Sequence, residues 1–179
     1  MNNSRKHYVL YDVEGNLVFK GDAHSHGSFL KQYIGQKKPE DKKDLRGLNL
    51  RNFEFTGFGD VKKYNFSGSD LSGAVFANIN MEDSLFKNCK FENTSFLKVD
   101  ANNCNFDFSH FENGNMNFSS FMRSSFFGCD ITEVDASRSN FENSDFSETN
   151  ILHSDFEKSK MMATNFINAH VKLTSFKGV

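Results

Sequence analysis

Residues 66–90 read FSGSD LSGAV FANIN MEDSL FKNCK, and each five-residue unit begins with an apolar side chain. The same frame runs on to residue 176 without an insertion or deletion, giving 23 units. A period of five fits neither a free helix nor a flat strand, whose periods are 3.6 and 2.0. The backbone must turn a corner every five residues, which is typical of a coiled solenoid. The apolar first residues of the units, called centres here, include fourteen Phe and are Phe66, Leu71, Phe76, Met81, Phe86, Phe91, Phe96, Ala101, Phe106, Phe111, Met116, Phe121, Phe126, Ile131, Ala136, Phe141, Phe146, Ile151, Phe156, Met161, Phe166, Val171 and Phe176.

A second column of residues, called the small column here, lies two positions before the centres and is mostly Ser, Thr, Cys, Gly or Ala. The residue between the two columns is usually Asp, Asn or Ser. The two alanine centres, Ala101 and Ala136, follow the only two valines of the small column, Val99 and Val134. A close-packed interior requires a large residue to offset a small one. Both columns are therefore predicted to fill one core.

This pattern resembles that of the pentapeptide-repeat family, whose repeat is roughly small–Asn/Asp–Leu/Phe–x–x. Ser69–Gly73, Ser139–Asn143 and Ser154–Lys158 match it closely, and the resemblance covers residues 64–178 strictly and about 48–178 with an imperfect start. It implies an all-β fold, a right-handed, four-sided parallel β-helix with one unit per side and twenty residues per coil. Taking every twentieth centre then gives one all-Phe column: Phe66, Phe86, Phe106, Phe126, Phe146 and Phe166.

The N-terminal region does not follow the period, so we divide the chain into residues 1–44 and a β-helix over residues 45–179. Gln36–Asp44 is charged and contains the single proline, which predicts a linker or surface loop. A β-helix exposes its apolar end and its strand edges unless another segment covers them. We therefore expect the N-terminal unit to be a small hairpin and helix that cap the rod. A separate binding head is the alternative.

Within this unit, residues 7–20 predict a β-hairpin, because strand-like runs flank a turn at Glu14–Asn16. Ser28 is predicted to cap a short helix, Phe29–Ile34, with its apolar residues on one side. Gly35 is expected to end this helix.

The repeat frame is interrupted once, near its start. Leu48–Leu50 and Phe53–Phe55 look like two repeats, but Phe55 and Phe66 are eleven residues apart instead of ten. A bulge or a short loop is therefore predicted within Phe58–Lys63, on the first coil.

The three cysteines, Cys89, Cys104 and Cys129, all belong to the small column, which predicts buried, reduced thiols. Cys89 and Cys129 would lie two coils apart on one side, about 9.5 Å at the spacing of strands, which is too far for a disulfide. The N-terminus lacks a signal peptide pattern, and no stretch has the length of a membrane span. We expect a soluble, cytoplasmic protein without membrane contact.

The 179 residues carry a net charge of −2, unevenly placed. Residues 1–65 hold 12 basic and 8 acidic side chains, whereas residues 66–179 hold 9 basic and 15 acidic ones. A mildly basic N-terminal part therefore precedes a mildly acidic coil.

Chemistry-bearing patterns are sparse. Catalysis needs groups held in a concave pocket, and a rod filled with Phe offers none, so we predict a protein that is not an enzyme and has no cofactor. Asp22, His24 and His26, with His7, are possible metal ligands, but in a polar segment they are expected to be solvated, and no metal site is predicted. The other histidines are expected on the surface: His110, His153 and His170.

The side of the rod centred on Leu71 carries a candidate partner-binding acidic face: Asp70, Glu92, Glu112, Asp130 and Glu133. Some pentapeptide-repeat proteins resemble B-form DNA and bind bacterial type II topoisomerases, inhibiting them or protecting them from fluoroquinolones and peptide toxins. The resemblance therefore implies, as one hypothesis, a DNA mimic that binds DNA gyrase or topoisomerase IV. Against it, DNA carries a charge about every 1.7 Å of its axis, far more densely than this coil, and the frame leaves no room for projecting loops.

The competing hypothesis, which we favour, is a protein-interaction module that binds an unknown partner protein through the faces of the rod. Apolar side chains at outward positions support it, because four of them on one side could form a contact patch. The candidate apolar patch is Leu85, Phe108, Phe127 and Ile167.

Two further interactions are considered. The last coil lacks a polar or helical cap, so Val171, Leu173 and Phe176 are expected to form the interface of an end-to-end homodimer. Pairing of C-terminal coils is also known in DNA-like members of the family. Direct nucleic-acid binding through the basic N-terminal part is not expected, since a solvated loop explains its charges equally well: Arg5, Lys6, Lys31, Lys37, Lys38, Lys42 and Lys43.

Overall fold

Parallel strands one coil apart define the architecture in the computed structural model, which describes residues 4–179. Each strand pairs in register with the residues twenty positions further on, so that Phe91 aligns with Phe111 and Ile131 with Ile151. The predicted coil of twenty residues is therefore confirmed. The five strands of this sheet are β4 (Lys90–Glu92), β5 (His110–Glu112), β6 (Asp130–Thr132), β7 (Asn150–Leu152) and β8 (His170–Lys172).

Bridges at the same interval connect the other three sides of the coil, for example Leu85 with Asn105, Ser95 with Asn115, and Ser120 with Asn140. The chain is thus a four-sided parallel β-helix, as the repeat implied. We name the sides after their first strict centres: the Phe66, Leu71, Phe76 and Met81 sides.

Both columns face inward, as predicted. The centres from Phe66 to Phe156 are buried, and Val99, Val134 and the alanines that follow them are buried together. The all-Phe column forms a continuous stack along the Phe66 side, with ring centroids 4.6–5.3 Å apart from Phe66 to Phe166. Because the same residue type repeats at the same depth, each ring packs on a copy of itself.

Side chains of the small column form hydrogen bonds with backbone groups of the preceding coil. Ser109 is typical: its Oγ donates to the carbonyl oxygen of Phe86 at 2.6 Å and accepts from the N–H of Cys89 at 2.9 Å. The cysteines of this column take the same place, with Sγ of Cys104 3.0 Å from the carbonyl oxygen of Met81. A position that is both cramped and rich in backbone polar groups selects small hydrogen-bonding side chains.

The three thiols are buried and unpaired, as the sequence predicts. Burial raises the pKa of Cys89 and of Cys104 to about 12, and it raises the pKa of Cys129 as well. The thiolate is the nucleophilic form of cysteine, so these side chains act as packing groups.

Each corner of the coil falls two residues after a centre, where the backbone is left-handed. The non-glycine residues there have φ between +50° and +62°. Asn and Gly tolerate this conformation best, which accounts for their frequency at the corners. Other residue types also occupy these corners, and Phe108, at +59°, and Phe118, at +57°, place aromatic rings there.

The N-terminal hairpin is confirmed and somewhat longer than predicted. Strand β1 (Lys6–Asp12) pairs with β2 (Leu17–Ala23) in antiparallel fashion. The carboxylate of Asp12 organises the turn by accepting from the N–H groups of Glu14 and Asn16. β1 also pairs with β3 (Leu48–Asn49) of the first coil, so the hairpin extends the exposed edge of the rod.

The helix differs from the prediction at both ends. Helix α1 spans His26–Gln36 and therefore includes Gly35, which was expected to end it. Its N-cap is Ser25 instead of Ser28, because the two serines form a reciprocal capping box: Ser25 Oγ accepts from the N–H of Ser28, and Ser28 Oγ accepts from the N–H of Ser25. Serine is a common N-cap residue, so the sequence allows either Ser25 or Ser28 at this position. The structure shows that Ser25 takes it.

Helix α1 covers the open end of the coil. Phe29 and Leu30 are fully buried, and one continuous hydrophobic cluster runs from them into the β-helix. The predicted N-terminal hairpin and helix are thus confirmed, and the helix packs on the first coil. The following linker contains a 3-10 helix, Pro39–Asp41, and among the described residues no helix has the length and hydrophobicity needed to cross a bilayer.

The interruption of the frame is confirmed in the first coil, where bridged residues are 21 positions apart, as in Asn49 with Asp70. The extra residue lies before Val61, which is buried at the next centre position. Phe58 enters the core just ahead of this point and lies directly under Gly27 of α1. The irregular coil therefore provides the surface on which the helix docks.

Candidate interaction surfaces

The predicted apolar patch contains one close aromatic pair. Phe108 is 57% exposed, and its ring meets that of Phe127, on the next coil, edge to face at 5.3 Å. The two rings are also tied through the backbone, because the N–H of Phe108 donates to the carbonyl oxygen of Phe127 at 2.9 Å. Gly128 leaves room for the ring of Phe108.

The other two members of the patch lie on the same side but apart from this pair. Leu85 is 40% exposed and precedes the centre Phe86, with Asn65 and Asn105 as its neighbours across the coils. Ile167 is 66% exposed and lies on the last coil, two coils beyond Phe127. The structure therefore brings together Phe108 and Phe127 and leaves Leu85 and Ile167 as separate exposed groups.

The predicted acidic face lies along the Leu71 side. Glu92 and Glu112 are direct neighbours in register on β4 and β5. Asp130 lies between His110 and Asn150 in its own column, and Glu133 occupies a corner with φ of +55°. Only Glu92 and Glu112 are therefore adjacent. The other acids of this face are single charges, because their in-register neighbours on adjacent coils are basic or neutral.

Asp70, the remaining member of the acidic face, is neutralised within the molecule. Its carboxylate lies 3.0 Å from the guanidinium of Arg51. Partial burial raises the pKa of Asp70, but hydrogen bonds from Ser72 and Arg51 outweigh this effect and hold the pKa below its ordinary value. Asp70 is therefore ionised yet poorly placed to present its charge to a partner.

The proposed dimer residues lie on the last coil. Val171 is 41% exposed and Leu173 is 68% exposed, whereas Phe176 is half-buried and stacks on Phe156 at 5.3 Å. The N–H groups of Met161 and Phe166 make no backbone hydrogen bond within the described residues. This end of the rod therefore combines exposed apolar side chains with open strand edges.

The histidines and carboxylate considered as metal ligands are used differently. His7 Nδ1 pairs with the carboxylate of Asp22 at 2.8 Å, and His24 is exposed. His26 lies between the rings of Tyr8 and Phe53, at 5.0 Å and 4.6 Å. No group of three or more potential ligands is assembled among residues 4–179.

A further surface was missed by the sequence reasoning. Lys98, Phe118, Arg138 and Lys158 occupy the same corner of four successive coils, on the Phe76 side, and we call them the basic column. The guanidinium of Arg138 lies over the ring of Phe118, 5.4 Å from its centroid. Their spacing of twenty residues was the available signal.

Comparison with known proteins supports the architecture. A family model described as pentapeptide repeats matches in eight copies, over residues 65–100, 104–143, 124–161 and 139–178. No curated protein matches the chain.

Solved structures with a similar backbone include a pentapeptide repeat protein, Rfr23, from the cyanobacterium Cyanothece 51142, with 18% identity, 72% of this chain and 87% of that chain covered, and a TM-score of 0.43. Another is a trypsin-treated form of QnrB1, a plasmid-mediated fluoroquinolone resistance protein, with 16% identity, coverage of 67% and 77%, and a TM-score of 0.38.

Proposed function

Because the chain belongs to the pentapeptide-repeat family, we propose that it is a non-catalytic interaction module that binds another protein through the faces of its rod. The observation that carries the proposal is the aromatic pair on the surface, in which the exposed ring of Phe108 packs edge to face on the half-buried ring of Phe127. Exposed aromatic rings are enriched at the centres of protein interfaces, where they bury a large area with little loss of conformational freedom.

The backbone at Phe108 supports the same proposal. A left-handed conformation costs a residue other than glycine about 1–2 kcal/mol, and Asn tolerates it better. The equivalent corners of other coils hold Asn88 and Asn168. Phe108 thus keeps an exposed ring at a corner where a polar residue would suit the fold.

The interior also fits a non-catalytic role. Stacked Phe rings fill the coil, and the thiols that line it are buried with raised pKa values. The proposal therefore assigns no catalytic residue, cofactor or metal. It includes a cytoplasmic location, which suits unpaired thiols.

The proposal is tested by comparing the proteins retained from a lysate by the wild-type chain and by Phe108→Asp and Phe127→Asp variants. A partner held by the aromatic pair is retained by the wild type and lost with either variant. Asn113→Asp, a matched change at a corner of the Leu71 side, should retain it. The same partner must then bind as a purified protein, and equal binding by all the variants would contradict the proposal.

A DNA mimic acting on a type II topoisomerase, such as DNA gyrase or topoisomerase IV, is the second candidate. Glu92 and Glu112, adjacent in register, favour it, with Asp130 and Glu133 on the same side. Such a mimic would inhibit supercoiling by purified gyrase, lose this effect as salt screens the charges, and lose it in a Glu92→Lys/Glu112→Lys variant. An unchanged supercoiling rate, with and without a fluoroquinolone, would exclude this candidate.

We also propose a homodimer formed end to end through Val171, Leu173 and Phe176. The exposed side chains and open strand edges of the last coil support this arrangement, because a second copy would cover both. Leu173→Asp should convert the dimer to a monomer in sedimentation experiments, while Ile167→Asp on the outer face should not. A wild-type chain that sediments as a monomer at all concentrations would contradict it.

A further inference from the structure

The basic column is an exposed stripe of cations on a chain with a net charge of −2. Its members follow one corner of the rod, and Lys160 lies beside them on the Met81 side. Lys98, Arg138, Lys158 and Lys160 are all exposed. At about 4.8 Å per coil, the column runs about 14 Å from Lys98 to Lys158.

An open groove of about 450 Å³ follows this stripe. Its charged lining consists of Lys98, Arg138, Lys158 and Lys160, with Asp100 as the only acid. The groove is therefore basic, although the faces on either side of it also carry acids, such as Glu142 and Asp155.

Most of these cations have no internal counter-ion. Lys158 pairs with Glu157 at 3.1 Å. In the part of the chain that the structure describes, Lys98, Arg138 and Lys160 form no ion pair and donate no side-chain hydrogen bond. These exposed cations are therefore available to an anion from outside, although Glu157 lies close enough to Arg138 for the charge of Arg138 to help lower the pKa of Glu157.

Phe118 distinguishes this stripe from an ordinary solvated set of charges. Its ring is 51% exposed on a backbone with φ of +57°. The guanidinium of Arg138 lies 5.4 Å from the centroid of this ring, within the range of a cation–π contact, and a guanidinium can bind a carboxylate in bidentate fashion. An exposed aromatic ring beside a cation is a feature of binding surfaces.

We propose that the basic column binds an extended acidic segment of a partner protein, with carboxylates on Lys98, Arg138 and Lys158 and an apolar group against Phe118. An extended peptide rises about 3.3 Å per residue, so about four or five residues would follow the column. This surface lies on another side of the rod from Phe108 and Phe127, so it is a second site beyond the interaction proposed above.

Charge favours a peptide over a nucleic acid as the occupant. A polynucleotide places a phosphate at every step and needs a continuous basic track. Here Glu157, Asp100 and Glu142 flank the column on both sides. A short peptide can place its few carboxylates on the cations and avoid these neighbours.

The test measures binding of fluorescent polyglutamate, and separately of fluorescent oligo(dT), to the full chain. Polyglutamate should bind, with affinity that falls as salt rises. Arg138→Ala should raise the Kd about tenfold, because an oriented arginine at the middle of the site is removed. Arg123→Ala is the matched control, since Arg123 is also exposed at a corner, with φ of +56°, and should leave the Kd unchanged.

Phe118→Asn separates binding from folding. Asn suits the left-handed corner, so this variant should unfold at a temperature at or above that of the wild type, yet bind polyglutamate more weakly. Phe108→Asp should leave polyglutamate binding unchanged, although it should abolish binding of the partner that the aromatic pair holds. The two proposals can therefore be tested independently. The proposal is overturned by any of three results: oligo(dT) binding that depends on Arg138, equal losses with Arg123→Ala, or no polyglutamate binding at low salt.

Discussion

The ring of Phe108 lies across Gly128 of the next coil, so that a Cβ at residue 128 would come within 2.8 Å of Cε1 of Phe108. Gly128 also has a left-handed backbone, with φ of +63°. The aromatic pair therefore depends on Gly128, twenty residues after Phe108, which provides the space for the ring of Phe108. This dependence can be measured.

Gly128→Ala should lower the free energy of unfolding by about 1–3 kcal/mol, through backbone strain and the clash with Phe108. Gly68→Ala is the control: residue 68 occupies the same corner with φ of +75°, but nothing lies within 4 Å of the added Cβ. The difference between the two variants in chemical denaturation isolates the contact with the ring. Adding Phe108→Asn to Gly128→Ala should remove that difference, and equal losses in the two single variants would refute the contact.

Gly27→Ala should loosen the N-terminal cap. The added Cβ would lie 2.8 Å from the backbone nitrogen of Phe58, which cannot move without displacing the first coil. We expect a loss of about 1–3 kcal/mol of stability. Gly35→Ala, in the same helix with open space around it, should instead stabilise by up to about 1 kcal/mol. Thermal unfolding of both variants checks the pair, and a shift in the same direction would contradict the docking of α1.

Ser109→Ala should cost about 1–3 kcal/mol, because it removes a buried donor and leaves the carbonyl of Phe86 and the N–H of Cys89 with one partner fewer. Ser109→Cys should be better tolerated, since Cys104 and Cys129 hold equivalent places in the small column. Urea denaturation compares the two variants. An alanine variant as stable as the wild type would show that this hydrogen bond does not support the coil.

Stability should fall on acidification through His26. Burial between Tyr8 and Phe53 lowers the pKa of His26 from its ordinary value of 6.5, while the charge of Glu54 acts in the opposite direction. A folded-state pKa below the unfolded one means that the neutral ring stabilises the fold above pH 6.5. This contribution is lost as the pH falls from 6.5 towards the folded-state pKa.

The measurement for this prediction is the unfolding temperature of the wild type and of His26→Phe across this range. The wild type should lose more stability than the variant below pH 6.5. His24→Phe serves as a control, because His24 is an exposed histidine of the same segment. Parallel curves for the wild type and His26→Phe would show that His26 does not titrate against the fold.

The coil could be predicted from the sequence because every five-residue unit must bury the same two positions. An apolar centre such as Phe106 and a small residue such as Cys104 must both face inward, and no register other than five satisfies this at every step. Twenty residues per coil came from the resemblance to the family. The helix was predicted less well, since Ser25 and Ser28 are both plausible caps and only their reciprocal hydrogen bonds distinguish them.

The candidate interaction surfaces depend on contacts between residues that are far apart in the sequence. Phe108 and Gly128, or Phe118 and Arg138, meet only because successive coils bring corners twenty residues apart into contact, and the ring positions follow from a left-handed backbone. The cap likewise arises from the approach of Gly27 to Phe58 across the irregular coil. Sequence periodicity alone thus determined the inside of the rod, because burial imposes one rule on every pentad. The outside was decided by tertiary packing, because solvent accepts many side chains there and only their neighbours on adjacent coils give them a partner.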